Sequence, residues 1–155
     1  MVDIGAGAGE LALWFLRSTA GTVYAYEPSD TAREAFDRNR RQNQQGTLHL
    51  FSDPVGDQLA LDDIPVDRSL KGLVKIDVDG AEMVVLRSGS ELIASRCADY
   101  VIEVHSESLE AECIDLLRRA AYSVSVIDNA WWRVLVPEHR PIPHNRWLHA
   151  TPLPG

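Results

Sequence analysis

The stretch Val2-Asp3-Ile4-Gly5-Ala6-Gly7-Ala8-Gly9-Glu10 decides how this chain is read. Residues 1–4 read as the end of a strand, and residues 5–9 as a tight loop. Residues 10–17, rich in leucine with Trp14 and Phe15, read as the helix that follows. Glycines permit positive φ and let backbone approach a ligand closely. The helix behind the loop points its free amides and positive dipole end at that ligand. A dinucleotide fingerprint would be spaced G-x-G-x-x-G. Here the third glycine comes one residue early, and Glu10 stands where that fingerprint needs glycine. A carboxylate at the helix start repels a pyrophosphate, which argues against NAD.

Working outward, short apolar runs alternate with amphipathic stretches, the pattern of an α/β fold with a mostly parallel, doubly wound sheet. Strands are expected at residues 22–26, 47–51, 73–78 and 100–104, and a last one at 146–150. Ser29 or Asp30 caps a helix running to about Asn43, with Ala32, Ala35 and Phe36 on its buried face. Residues 53–68 read as a polar loop with two prolines, and residues 80–86 as a helix. Leu109, Cys113, Leu116, Leu117 and Ala120 mark another amphipathic helix. Residues 123–127 and 132–136 read as an antiparallel pair, because the Asp128-Asn129 connection is too short for a helical crossover. No repeat or linker divides residues 1–155, so a single domain is expected.

Composition narrows the function. The chain has 155 residues, with 15 Lys+Arg against 23 Asp+Glu and a formal charge of −8. Nucleic-acid binders cluster Lys and Arg to neutralise phosphates. Here only Arg38, Arg40 and Arg41 form a short run, which reads as a solvated helix face, so no nucleic-acid partner is expected. No apolar stretch reaches the length of a membrane span, and no membrane partner is expected. Cys97 and Cys113 lack metal-type spacing and read as small core residues of a reducing compartment. With no secretory signal visible, a cytoplasmic location is the expectation.

Glu27 stands at the carboxyl end of the second strand, before Pro28. A carboxylate there can accept hydrogen bonds from both hydroxyls of an adenosine ribose. Loop and carboxylate together suit a nucleoside whose attached group is not a pyrophosphate. S-adenosylmethionine meets that description, with its amino-acid end near the glycines and Asp3 placed to receive its ammonium. The plainer alternatives are a tight turn, a solvated strand end at Glu27 and a local cap at Asp3.

Transfer of a methyl group from a sulfonium needs an aligned acceptor oxygen and a group that takes its proton. Asp77 and Asp79 alternate along one strand, and Glu103 and His105 along the next. If these strands are neighbours, the four line one cleft, with His105 as general base and Asp77 or Glu103 orienting it. The same four residues are the set that would hold a divalent metal, although no local spacing demands one. Asp79 and Glu82 also fit a capping box, and His105 also fits a hydrogen-bonded strand end. Lys75, on a central strand, needs a partner: it pairs with Asp77 on its side, or its head snorkels outward. Trp131, Trp132, His139, His144, Arg146 and Trp147 read as a packed hairpin or as a wall for an acceptor.

Three segments, VDIGAGAG (2–9), VYAYEP (23–28) and LVKIDVDGAEMVVL (73–86), supported by YVIEVH (100–105), resemble the class I S-adenosylmethionine-dependent methyltransferases of the FkbM type. The resemblance implies a seven-stranded Rossmann-like sheet with an antiparallel final strand. It implies methyl transfer to a hydroxyl of a small molecule or sugar. It assigns the cofactor to Asp3, the loop residues Gly5, Ala6 and Gly7, and the Glu27-Pro28 strand end. Asp53 takes the place of the acidic residue that reaches the adenine amino group. Asp79 stands where the family has Glu. The chain also starts inside the first strand, so it is expected to be N-terminally short, either part of a longer protein or a compact variant with an uncovered pocket. An uncovered edge would favour a homodimer. Two other readings stay open: a non-catalytic cofactor-binding domain or partner subunit, and a nucleotide-dependent oxidoreductase.

Overall fold

Apolar residues throughout a short run suit a parallel strand, because helices cover both of its faces. The runs of this chain fold accordingly in the computed structural model, which describes residues 1–42, 45–128 and 144–154. The strands are β1 (Val2–Ile4), β2 (Thr22–Tyr26), β3 (Thr47–Phe51), β4 (Gly72–Ile76), β5 (Ala98–Val104), β6 (Tyr122–Ile127) and β7 (Arg146–Pro152). They form one sheet in the order β3-β2-β1-β4-β5-β7-β6. β1 to β5 run parallel, and β7 runs antiparallel between β5 and β6. This is the expected doubly wound, seven-stranded α/β sheet.

The helices are α1 (Glu10–Thr19), α2 (Asp30–Arg40), α3 (Glu82–Arg87), α4 (Ser90–Ser95) and α5 (Glu107–Arg119). Ala12, Leu16 and Phe36 of α1 and α2 pack with Val23 and Ala25 of β2 in one core. Leu86, Leu92 and Leu117 of α3 to α5 pack with Val74, Ile76, Tyr100 and Ile102 in a second, larger core. Ser29 caps α2 by accepting from the Ala32 amide at 3.3 Å, and Ser106 caps α5 from the Leu109 amide at 3.1 Å.

Several expectations need correction. The partner of β6 is β7, with Val124 opposite Ala150. The expected strand at 132–136 lies outside the described residues, as do Asn43, Trp131, Trp132 and His139. The 53–68 segment is not only a polar loop. It carries a 3-10 turn (Leu61–Asp63) and buries Val55, Leu61 and Ile64. Helix α4 has no counterpart in the sequence reading, for a physical reason. Its first amides, Glu91 and Leu92, are capped at 2.9 and 2.7 Å by the carboxylate of Asp62, far away in sequence. Helix α3 has no capping box: its N-cap is Ala81, without a side-chain bond. Cys113 is buried as expected, whereas Cys97 is only half-buried.

The chain runs from β1 outward to β2 and β3, then returns to build β4 and β5 on the other side of β1. In open sheets of this kind ligands bind beyond the carboxyl ends of the strands at such a reversal. Here that point lies between β1 and β4, where Gly5 and Asp77 follow their strands.

Candidate active site

The glycine loop is held by backbone bonds. The amides of Gly5 and Ala6 both donate to the Tyr26 carbonyl, at 2.9 and 3.0 Å, and the Asp77 amide donates to the Ile4 carbonyl at 3.0 Å. Gly5 has φ +72°, and a Cβ there would stand 1.8 Å from the Asp77 carbonyl oxygen. Only glycine fits that crossing of β1 and β4. Gly7 differs. Its φ is +55°, and nothing among the described residues lies within 4 Å of where its Cβ would be, so the space over the loop is open.

Glu27 turns toward this loop. Its Oε2 accepts from the Gly7 amide at 2.8 Å, and its Oε1 from the Ser29 amide at 2.8 Å. Beside it, at the carboxyl ends of β1 and β2, is a cavity of about 320 Å³ lined by Gly5, Tyr26, Pro28, Asp53, Val78 and Ala81 among others. That volume is at the lower end of the roughly 300–1,000 Å³ usual for small-molecule sites. A larger, mostly apolar cavity of about 580 Å³ opens at the opposite ends of the strands, around Val2, Tyr24, Leu73 and Ala98. It lies away from the loop, Glu27 and the carboxylates described next.

Asp3 does not line the cavity. It is 1% exposed and faces Lys75, whose Nζ stands 3.2 Å from its Oδ1. Lys75 also reaches Asp77 at 3.4 Å and donates to the Gly5 carbonyl. The register, Asp3 opposite Lys75, puts both on one side of the sheet, where a buried charge needs a partner. Burial pushes the Asp3 carboxyl up, and the Lys75 ammonium opposes that shift. The pairing of Lys75 with Asp77 expected from alternation is present, and Asp3 completes it.

β4 and β5 are parallel neighbours, with Ile76 opposite Ile102. Asp77, Glu103 and His105 therefore converge, each offering one ligand atom within 4.8 Å of the others. Asp79 joins them, its Oδ1 3.3 Å from His105 Nε2, while Asp77 Oδ1 stands at 4.0 Å. Burial first, and then the adjacent Asp77 carboxylate, push the Glu103 carboxyl up to about 7. The Asp77 side chain is 28% exposed and that of His105 is 5% exposed. Asp77 is thus the member of this trio that faces solvent most.

The residue that the sequence reading missed is Glu82. It is fully buried at the start of α3 and bonds to His105 Nδ1. Its oxygen also meets the Gly80 amide at 3.3 Å, the remnant of the capping role expected of it. Nothing local in the sequence signals the contact with His105. The two residues lie on different elements and meet only when α3 packs against β5.

Fold and site together define a class: the class I, S-adenosylmethionine-dependent methyltransferases. The sequence profile of the methyltransferase FkbM domain matches residues 31–124, and the chain belongs to that family. Among solved structures, the methyltransferase FkbM from Methylobacillus flagellatus superposes with TM-score 0.72 at 18% identity, over 97% of this chain and 43% of that one. A candidate methyltransferase from Streptococcus mutans, solved in complex with SAH, gives TM-score 0.65 at 11% identity, over 98% of this chain and 87% of that one. An rRNA methylase from Streptococcus thermophilus gives 0.65 at 12%, over 99% and 86%. These likenesses are of fold. The chain spans less than half the length of the M. flagellatus protein. A search of curated proteins finds no match. No helix among the described residues is long and apolar enough to cross a membrane.

Proposed function

We propose that this chain, as one domain, is an S-adenosylmethionine-dependent O-methyltransferase acting on a hydroxyl of a small molecule or sugar. The observation that carries the reading is the junction of two features at Gly5 and Val78: the cavity beside the glycine loop, and the cluster of Asp77, Glu103 and His105. The residues present fit the donor. The open space above Gly7 leaves room over the loop, and Glu27, Pro28 and Asp53 stand where a nucleoside needs acceptors and a wall.

In this reading the loop residues Gly5, Ala6 and Gly7 form the floor under the donor and the Glu27 carboxylate holds it, with Asp53 toward the adenine. Asp3 acts from beneath the loop: it fixes Lys75, and Lys75 fixes the Gly5 carbonyl. When bound, S-adenosylmethionine supplies a methyl group already activated by a positively charged sulfur. The remaining work is to orient the acceptor oxygen and take its proton. Asp77 touches the acceptor. Glu103 and His105 set the position and charge of Asp77 from behind, and Glu82 holds the His105 ring.

The formal charge of −8 favours a small or neutral acceptor over RNA. The carboxylates lining the cavity, Asp53 and Asp57, add to that preference. Glu10 begins α1 directly after the loop and disfavours a dinucleotide pyrophosphate.

Calorimetric titration with S-adenosylhomocysteine and with NAD tests the donor. Binding of the first and not the second is expected, and the reverse would overturn the reading. Methyl transfer to a panel of hydroxylated acceptors, with Asp77→Asn and His105→Ala as controls, tests catalysis. Loss of turnover with retained S-adenosylhomocysteine binding is expected. Donor binding without turnover on any acceptor would favour a non-catalytic binding domain.

A further inference from the structure

His105 Nε2 carries an observation that a general-base role leaves unexplained. The atom is buried and has no hydrogen-bond partner among the described residues. Its ring is fixed from the other side, because Nδ1 meets the fully buried Glu82 carboxylate. With the Nδ1 proton given to Glu82, Nε2 presents a lone pair. That lone pair faces carboxylate oxygens, Asp79 at 3.3 Å and Asp77 at 4.0 Å. Lone pairs facing lone pairs repel, and something positive belongs between them.

The charge count points the same way. Among the described residues, Asp77, Asp79 and Glu82 face the His105 imidazole, and Asp3 and Asp77 face the Lys75 ammonium. Lys75 is already committed to Asp3, Asp77 and the Gly5 carbonyl. A histidine whose far nitrogen is tied to a carboxylate, with further carboxylates around its near nitrogen, is a recurrent metal-binding arrangement.

We propose that Asp77, Glu103 and His105 form a binding site for a divalent cation, with Glu82 orienting the histidine. Two carboxylates and one imidazole suit Mn²⁺ or Mg²⁺ better than a soft metal. The three ligand atoms already lie within 4.8 Å of one another. Ligands on opposite sides of such an ion stand about 4.2 Å apart, from bonds of roughly 2.1 Å. At most one pair of three such ligands is opposite, and adjacent ones stand about 3.0 Å apart, so the three side chains draw together around the ion. Placed there, the cation lowers the pKa of a hydroxyl bound to it, and the proton leaves to Asp79, whose side chain is 78% exposed. This role rests on the methyltransferase reading; the binding of the cation does not.

Mn²⁺ titrated into the intact chain and followed by electron paramagnetic resonance tests the site, because bound Mn²⁺ loses the signal of the free aquo ion. One ion per chain is expected. Uptake should weaken at least tenfold in Asp77→Asn, Glu103→Gln and His105→Ala, and stay unchanged in Asp115→Asn on the exposed face of α5. Thermal melts identify any variant that fails to fold. In that case an anomalous manganese peak between the three side chains in wild-type crystals takes the place of that variant. No uptake by the wild type, or uptake equal in all variants, overturns the cation site. S-adenosylhomocysteine titrated into the same samples separates the two ideas: donor binding without Mn²⁺ uptake sinks the cation alone.

Discussion

Glu27 and Gly7 are joined at 2.8 Å, carboxylate to amide, so the end of β2 clamps the loop that follows β1. The same carboxylate is the one proposed to grip a ribose. Closure of the loop and recognition of the donor therefore share a single side chain. Glu27→Ala should weaken S-adenosylhomocysteine binding by roughly 10- to 100-fold, since hydrogen bonds to a charged group contribute about 1.5–3 kcal/mol. Calorimetry measures this, and unchanged affinity would remove Glu27 from the donor site.

Gly5 and Gly7 should respond differently to alanine. At Gly5 a methyl group meets the Asp77 carbonyl oxygen at 1.8 Å with φ at +72°. Gly5→Ala should cost roughly 3–5 kcal/mol, in the range reserved for severe steric conflict. At Gly7 the space is open and φ is +55°, so Gly7→Ala carries only the left-handed penalty, about 1–2 kcal/mol. Urea denaturation of both variants checks the order.

Lys75 and Asp3 form a buried pair whose members should be removable only together. Lys75→Met leaves Asp3, 1% exposed, without its cation. The expected loss is about 3–5 kcal/mol. Adding Asp3→Asn should recover part of that loss, because an amide replaces the stranded carboxylate. A double-mutant cycle reads the coupling. Strict additivity of the two losses would contradict the pairing.

Alkali should destabilise the fold through two interior groups. Burial pushes the Cys113 thiol up to about 12 from its ordinary 9.0. Tyr122 is pushed up to about 12 from 10.0, again chiefly by burial. The folded form keeps both protons over a range in which the unfolded form gives them up. Their contribution is therefore fully present below about pH 9 and declines as pH rises toward about 12. Denaturation midpoints across that window should fall. In the native protein at neutral pH, half-buried Cys97 should react with a thiol reagent well before Cys113.

How much of this was readable in the chain can be judged from particular elements. The α/β alternation, the loop after β1 and Glu27 after β2 are local patterns of period and turn chemistry, and each appears where it was expected, whereas β4 ends at Ile76 and β5 at Val104, so Asp77, Asp79 and His105 lie just past their strands instead of alternating along them. Helix α4 was not readable, because its cap is Asp62, supplied from another loop. The pairing of β6 with β7 was not readable either, because the two strands are distant in sequence, and the strand expected at 132–136 lies outside the described residues.

Glu82 marks the boundary most clearly. Its local context, Asp-Gly-Ala-Glu ahead of an apolar run, specifies a helix start, and α3 does start there. Its partner is decided by the packing of α3 on β5, which brings a carboxylate against the ring of His105. The amino-acid sequence alone thus determined the class of fold, the loop and the family, because these depend on backbone geometry and periodic burial within short segments. Only the tertiary structure decided that Asp3 serves Lys75, that Glu82 serves His105 and that Nε2 looks into a ring of carboxylates. Those relations depend on side chains from separate strands and helices meeting in a space that water has left.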